Sequence, residues 1–96
     1  MTSNEQFKVE HHPEAQRFSV QTGDHLATAA YTRVGDTITF THTNVPDEVE
    51  GQGIATAMAT EALAYARAEG LRVVPACAFF ADFMKKNPEY EDLRAR

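Results

Sequence analysis

The chain has 96 residues, of which 43% are apolar and 24% charged, a composition typical of one globular domain and not of a disordered chain. Nine basic residues against fourteen acidic ones give a net charge of −5, which argues against nucleic acid and anionic membranes as partners. The single cysteine, Cys77, excludes an internal disulfide, and no apolar stretch is long enough for a membrane span or a signal peptide, so we expect a soluble, cytoplasmic protein.

The first half of the chain has the alternating pattern and the turn signals of antiparallel strands. After a loose segment over residues 1–5, strands are predicted at Phe7 to His12, Arg17 to Thr22, His25 to Val34 and Thr37 to Asn44. Gly35-Asp36 predicts a tight hairpin between the last two of them. Pro46 ends the fourth strand because proline has no N–H to donate.

The second half predicts a helix, a strand and a second helix. An alanine-rich helix follows Gly53 and ends near Glu69, with Gly70 as its C-terminal cap. A short apolar strand is predicted at Leu71 to Pro75, and a helix at Ala78 to Lys86 that buries Phe79, Phe80, Phe83 and Met84. Because a strand–helix–strand crossover joins parallel strands, the fold class is a mixed α/β domain, predicted over residues 6–94.

The loop Gly51-Gln52-Gly53 lies where a strand leads into a helix. Glycines allow positive φ and a close approach of the backbone to a ligand, and the first N–H groups of a helix have no partner inside it. This combination favours a phosphate or pyrophosphate, although a tight turn before a helix explains the same pattern. No Lys-Ser or Lys-Thr follows, so the loop is no Walker motif, and Thr56 stands where a dinucleotide fingerprint needs its third glycine.

Several separate segments, in order, resemble the short GCN5-related N-acetyltransferases of the YjdJ type, from about Phe7 to Tyr90. They are His42-Thr43-Asn44-Val45-Pro46, Gly51-Gln52-Gly53-Ile54-Ala55, Val73-Val74-Pro75-Ala76-Cys77 and Asn87-Pro88-Glu89-Tyr90. The resemblance implies a minimal fold of that superfamily (GNAT-like). In it, a mostly antiparallel N-terminal sheet is followed by a parallel strand–helix–strand crossover and a C-terminal helix. It also implies transfer of an acetyl group from acetyl-coenzyme A (acetyl-CoA) to an amine.

The resemblance further implies where coenzyme A (CoA) binds. Its pyrophosphate would rest on the loop residues Gly51, Gln52, Gly53, Ile54 and Ala55, together with Thr56. The strand before the loop would bulge and separate from the parallel strand Arg72 to Pro75, and in the slot between them the pantetheine arm would pair, like an extra strand, with His42, Thr43, Asn44 and Val45.

Three positions depart from the family pattern. Glu50 stands where Arg or Gln is usual, and Asn87 stands where His is common. Asn44 replaces a common Glu, and since an amide cannot accept a proton, Asn44 has no role as a base.

Two side chains are candidates for the chemistry. Cys77 stands at the start of the second helix, where the helix dipole favours a thiolate, and the resemblance suggests a role as acetyl acceptor or proton donor. The alternative for Cys77 is a buried small apolar residue. His42 alternates with Phe40 and Asn44, which predicts that it faces the cleft as a proton relay, or else is an ordinary hydrogen-bonded strand histidine.

The leading hypothesis is therefore an acetyl-CoA-dependent N-acetyltransferase that acts on a small amine or a lysine-bearing peptide, with a cationic acceptor favoured by the acidic surface. The alternatives are a CoA-binding module with little catalytic activity and a plain interaction domain. No metal is expected, because His11 and His12 point to opposite sides of an extended segment. The oligomeric state is left open.

Overall fold

The computed structural model describes residues 7–95, which form one five-stranded sheet and two α-helices. The elements are β1 Val9–His12, β2 Arg17–Thr22, β3 His25–Val34, β4 Thr37–Asn44, α1 Ile54–Ala68, β5 Arg72–Pro75 and α2 Ala78–Lys86. Their order is the predicted one, with β1 starting at Val9 rather than Phe7 and β5 starting one residue later than predicted. The segment over residues 1–5, expected to be loose, lies outside the described residues.

The strands lie across the sheet in chain order, from β1 to β5. The first four pair antiparallel with their neighbours, and β5 runs parallel to β4. The parallel pair is the one that the crossover through α1 predicts. The predicted mixed α/β fold class is therefore confirmed.

A bulge interrupts β4 near its middle. Tyr31 of β3 pairs with Phe40, but the preceding residue, Ala30, pairs with His42. Thr41 is therefore an extra residue on β4, and its hydroxyl donates to the carbonyl oxygen of Ala30 at 3.3 Å. An extra residue in one strand shifts the alternation of side chains between the two faces by one position.

The bulge decides which face the end of β4 presents to the helices. Thr43 pairs with Ala29, which is fully buried under the helices. His42 and Asn44 alternate with Thr43 and so lie on the opposite face, where both are exposed. The last three residues of β4 thus have the reverse of the orientation that simple alternation from Phe40 predicts.

Both helices cover one face of the sheet. Phe18 of β2 and Phe40 of β4 each contact the ring of Tyr31. Phe18 also packs against Tyr65 of α1, and Phe40 stacks on Phe80 of α2 with the ring centres 4.1 Å apart. The small side chains of α1 let the helix lie close to the sheet, and its buried residues are Ile54, Ala57, Met58, Ala59, Ala62, Leu63 and Ala66.

The second helix buries fewer aromatic rings than the sequence predicts. Phe80 and Met84 are fully buried, but Phe79 and Phe83 are only half-buried, so the prediction is wrong for these two. One helix of nine residues presents a single stripe to the core. Phe79 and Phe83 lie beside that stripe and pack on each other, with their ring centres 5.9 Å apart.

The end of the chain covers the outer edge of β5, which the sequence did not predict. A 3-10 segment, Pro88–Leu93, follows α2, and Leu93 is buried. The N–H of Ala95 then donates to the carbonyl oxygen of Val73 at 2.8 Å. The last described residues therefore occupy hydrogen-bonding groups that an edge strand otherwise leaves open.

No helix within residues 7–95 is both long and apolar enough to cross a membrane. Over the same residues, no group of three or more His, Cys, Asp or Glu side chains is arranged to hold a metal ion. His11 and His12 lie on opposite faces of β1, since the first contacts Tyr31 and the second contacts Ser19.

Candidate functional site

The strands β4 and β5 separate halfway along β4. Their pairing runs from Thr37 to Phe40 and ends at Pro75, which has no N–H to continue the ladder. The N–H of Cys77 donates to the carbonyl oxygen of Phe40 at 3.0 Å and closes the paired part. Beyond that point, residues 41–44 of β4 pair only with β3, so their other edge is open.

The connection from β4 to α1 is a short turn that contains two glycines. A 3-10 turn, Asp47–Val49, is anchored by the buried side chain of Val49. Gly51 and Gly53 follow with φ of +81° and +88°. In this left-handed region a Cβ crowds the following carbonyl oxygen, so both positions favour glycine.

The backbone N–H groups of this loop lack protein partners. The N–H of Ala57 is the first of α1 to donate to a carbonyl, that of Gly53, at 2.9 Å. Within the described chain, the N–H groups of residues 51–56 donate to no protein acceptor. Unpaired donors at the positive end of a helix dipole are suited to binding an anion.

A cavity of about 420 Å³ extends from the open edge of β4 to the glycine loop. It is lined by residues of β4, of the loop, of the first turn of α1 and of α2, namely Thr43, Val45, Val49, Glu50, Gly51, Gly53, Ile54, Ala55, Thr56 and Phe79. A Cβ built on Gly51 or Gly53 meets no protein atom within 4 Å. The two glycines therefore leave space through which a ligand can reach the backbone donors, and the arrangement fits a phosphorylated ligand.

Cys77 immediately precedes α2, and it is not one of the residues that line the cavity. It is the N-cap of the helix, as the sequence predicts, and its side chain is half-buried against the core. Its Sγ lies 3.3 Å from Oγ1 of Thr43, which lines the cavity. The backbone of Cys77 and its thiol thus both contact β4, on either side of the point where the strands separate.

The structure does not place His42 in the cleft, which corrects the orientation expected from strand alternation. Because Thr41 is bulged out, His42 pairs with Ala30 on the face that the helices do not cover. Its ring is exposed, contacts the hydroxyl of Thr41 at 3.2 Å, and is no part of the cavity lining. Asn44 lies on the same outer face, opposite Thr28.

The remaining residues assigned to the cofactor from the sequence divide into two groups. Thr43, Val45, Gly51, Gly53, Ile54, Ala55 and Thr56 line the cavity, whereas the exposed Gln52 does not. Val49, Glu50 and Phe79 also line the cavity and had not been assigned to the site. The sequence could have indicated Phe79, because it lies two residues after Cys77, in the first turn of the helix that reaches this cavity.

Comparisons with known proteins place these features in a family. A family model described as GCN5-related N-acetyl-transferase matches residues 17–93. Protein NATD1 of Xenopus tropicalis is 34% identical over 91 residues, which cover 92% of this chain and 84% of that protein. Protein NATD1 of Bos taurus is 38% identical over 84 residues, covering 84% of this chain and 74% of that protein.

A solved structure has the same architecture. The NMR structure of a GCN5-like protein from Staphylococcus aureus superposes with a TM-score of 0.74, at 25% sequence identity. The match covers 98% of this chain and 91% of that one. The family suggested by the sequence is thereby confirmed, while the YjdJ subtype stays a prediction.

Proposed function

Since the chain belongs to the family of GCN5-related N-acetyltransferases, we propose that it transfers an acetyl group from acetyl-CoA to an amine. The observation that carries the proposal is the continuity of one cavity between the open edge of β4 and the unpaired donors of the glycine loop. The acceptor we propose is a small amine or the amine of a lysine-bearing peptide.

The glycine loop is the proposed site for the pyrophosphate of CoA. Its unpaired N–H groups supply several hydrogen bonds to phosphate oxygens, and the dipole of the 15-residue helix α1 adds a favourable field. Glu50, the one charged residue of the lining, is unfavourable there, so binding depends on backbone donors rather than on a basic side chain.

The open edge of β4 is the proposed site for the pantetheine arm. Residues 41–44 leave backbone hydrogen-bonding groups free on the side away from β3, and an extended chain with amide groups can pair with them. Val45 and Phe79 add apolar walls to this part of the cavity. The thioester of acetyl-CoA carries the acetyl group and makes its carbonyl carbon the reactive centre.

We assign the chemical role to Cys77, as acetyl acceptor or as the group that gives its proton to the departing CoA thiolate. Its Sγ contacts the cavity-lining Thr43, beyond the point where the two strands separate. Backbone N–H groups of residues 43–45 are the proposed donors to the developing oxyanion. His42, predicted as a proton relay, has no path to the cavity through its own side chain, because the bulge turns it to the other face.

Calorimetric titration with CoA tests the binding step. Gly53→Ala introduces a side chain at φ +88° in the loop and should weaken CoA binding about tenfold or more, which corresponds to about 1.4 kcal/mol. Gly35→Ala is the matched control, because Gly35 also has positive φ and open surroundings but lies in the β3–β4 hairpin. Equal CoA affinity in both variants, or no binding by the parent, contradicts the proposal.

A CoA-binding module with little catalysis is the second candidate. It is favoured by the cavity lining, in which Glu50 is the only side chain with an ordinary acid–base group. The release of free thiol from acetyl-CoA, measured with a panel of amines, separates the two candidates. Turnover that is lost in Cys77→Ala, with CoA affinity retained, supports the enzyme, and absence of turnover with every amine supports the module.

A further inference from the structure

The bulge in β4 brings a hydroxyl group to the cavity that an unbulged strand would turn away. Thr43 is the third residue after Phe40, so strict alternation places the two side chains on opposite faces. The extra residue Thr41 returns Thr43 to the face of Phe40, opposite the buried Ala29. Thr43 therefore lines the cavity with its side chain as well as with its backbone.

The hydroxyl of Thr43 contacts one functional group, the thiol of Cys77. The distance from Oγ1 to Sγ is 3.3 Å, and either atom can be the donor. The backbone of Cys77 is held from the same strand, through the bond from its N–H to the carbonyl oxygen of Phe40. The thiol is thus oriented from two points of β4, one on each side of the bulge.

We propose that the side chain of Thr43 is a positioning residue that holds the Cys77 thiol toward the cavity and donates to its sulfur when the proton has left. The inference rests on the proposed function in one respect, the use of that thiol in acetyl transfer. A hydroxyl donor stabilises a thiolate because a hydrogen bond to a charged acceptor is stronger than one to a neutral acceptor. The role differs from the backbone contact with the cofactor arm predicted for the same residue.

The thiol can be examined without acetyl-CoA, because Cys77 is the only cysteine of the chain. The rate of alkylation by iodoacetamide, measured against pH, reports the thiolate fraction at this one position. Thr43→Val keeps the shape and removes the hydroxyl, and Thr43→Ser keeps the hydroxyl. Thr39→Val is the control, since Thr39 pairs with Thr32 and lies on the face away from the cavity.

In Thr43→Val the midpoint of the pH–rate profile should move to higher pH, with alkylation at pH 7 slowed about fivefold. Thr43→Ser and Thr39→Val should retain the profile of the parent. Thr43→Ala removes the same hydroxyl and must shift the profile in the same direction, which keeps the test valid if the valine variant folds poorly. An unshifted profile in both hydroxyl-free variants overturns the proposal.

Binding and turnover separate this proposal from the proposed function. In the acetyl-transfer assay Thr43→Val should lower kcat and Thr43→Ser should restore it, while the CoA affinity of each variant is measured separately by calorimetry. A loss of CoA affinity in Thr43→Val with an unshifted alkylation profile shows a cofactor contact instead and overturns the positioning role. Failure of the parent to bind CoA removes the proposed function, whereas the alkylation profiles still decide whether Thr43 controls the thiol.

Discussion

Glu50 is the residue that most directly opposes the proposed ligand. It precedes Gly51, lines the cavity and stands where related proteins are expected to have Arg or Gln. A carboxylate within about 8 Å of a pyrophosphate charge in water raises the free energy of binding by about 0.5 kcal/mol, and by more where the cavity excludes water. Its side chain is exposed, which keeps the repulsion at the lower end of this range.

We predict that Glu50→Gln tightens CoA binding about two- to fivefold, by removing this repulsion while keeping the size of the side chain. Titration calorimetry at low and high salt measures the effect, which should shrink as salt screens the charge. Glu48→Gln is the control, since Glu48 is also acidic and exposed but lies toward His25, 3.9 Å from its ring. A larger gain in Glu48→Gln than in Glu50→Gln contradicts the placement of the phosphates.

His11 is the titratable residue with the clearest link to stability. Its ring stacks on Phe18 with the ring centres 4.1 Å apart, and its Nε2 lies 2.6 Å from the hydroxyl of the buried Tyr31. Burial, together with the nearby charge of His12, lowers the pKa of His11. A neutral ring accepts the proton of the Tyr31 hydroxyl, whereas a protonated ring has no lone pair left to do so.

We therefore predict that the free energy of unfolding falls as the pH drops below about 6.5, the pKa of histidine in an unfolded chain. The pKa is lower in the folded state, so the unfolded chain binds more protons between the two values, and the stabilisation is complete only above that window. Urea unfolding at pH 8 and pH 5.5 measures the loss. In His11→Gln the amide oxygen accepts the tyrosine proton at both pH values, so this part of the loss should disappear, and an equal loss in parent and variant contradicts the prediction.

At the scale of elements, the strands and helices were predictable wherever a local pattern alone decides the conformation. The bounds of β3, β4 and α2 agree with the sequence prediction, because β-branched alternation, a Gly-Asp turn and an Asn-Pro stop are all local signals. The strand–helix–strand order also predicted the parallel pair. The glycine loop was located for the same reason, since positive φ at Gly51 and Gly53 is a property of the residue type.

The resemblance implied a bulge in this strand, but its position at Thr41 could not be predicted from a local pattern. Thr39, Phe40 and Thr41 alternate like any strand, and only the register with β3 shows that one residue is extra. This single register shift explains why His42 faces away from the cavity and why the side chain of Thr43 lines it. The pairing of Ala95 with Val73 was missed for a similar reason, because it depends on where the chain end lies in space.

Considered as a whole, the molecule is a two-layer domain with its core on one side of the sheet. Both helices pack on the face that carries Phe18, Tyr31 and Phe40, and the bulged end of β4 turns Asn44 and His42 to the other face. A domain of this size has a total stability of roughly 5–15 kcal/mol. The buried apolar side chains form one cluster in this layer, and Val49 and Ile54 of that cluster also line the cavity.

Phe80 should be the residue on which this layer depends most. It is fully buried and stacks on Phe40, next to the carbonyl that holds the backbone of Cys77. Phe80→Ala should lower the free energy of unfolding by about 3–5 kcal/mol, because truncation of a buried ring loses its burial and leaves a cavity. Urea denaturation measures this as a lower midpoint with an unchanged slope.

Phe83→Ala is the matched control on the same helix. Since Phe83 is half-buried, its loss of unfolding free energy should be clearly smaller. Equal losses in the two variants contradict the prediction, because the fully buried stack of Phe80 on Phe40 would then contribute no more stability than the half-buried contact of Phe83 with Tyr90.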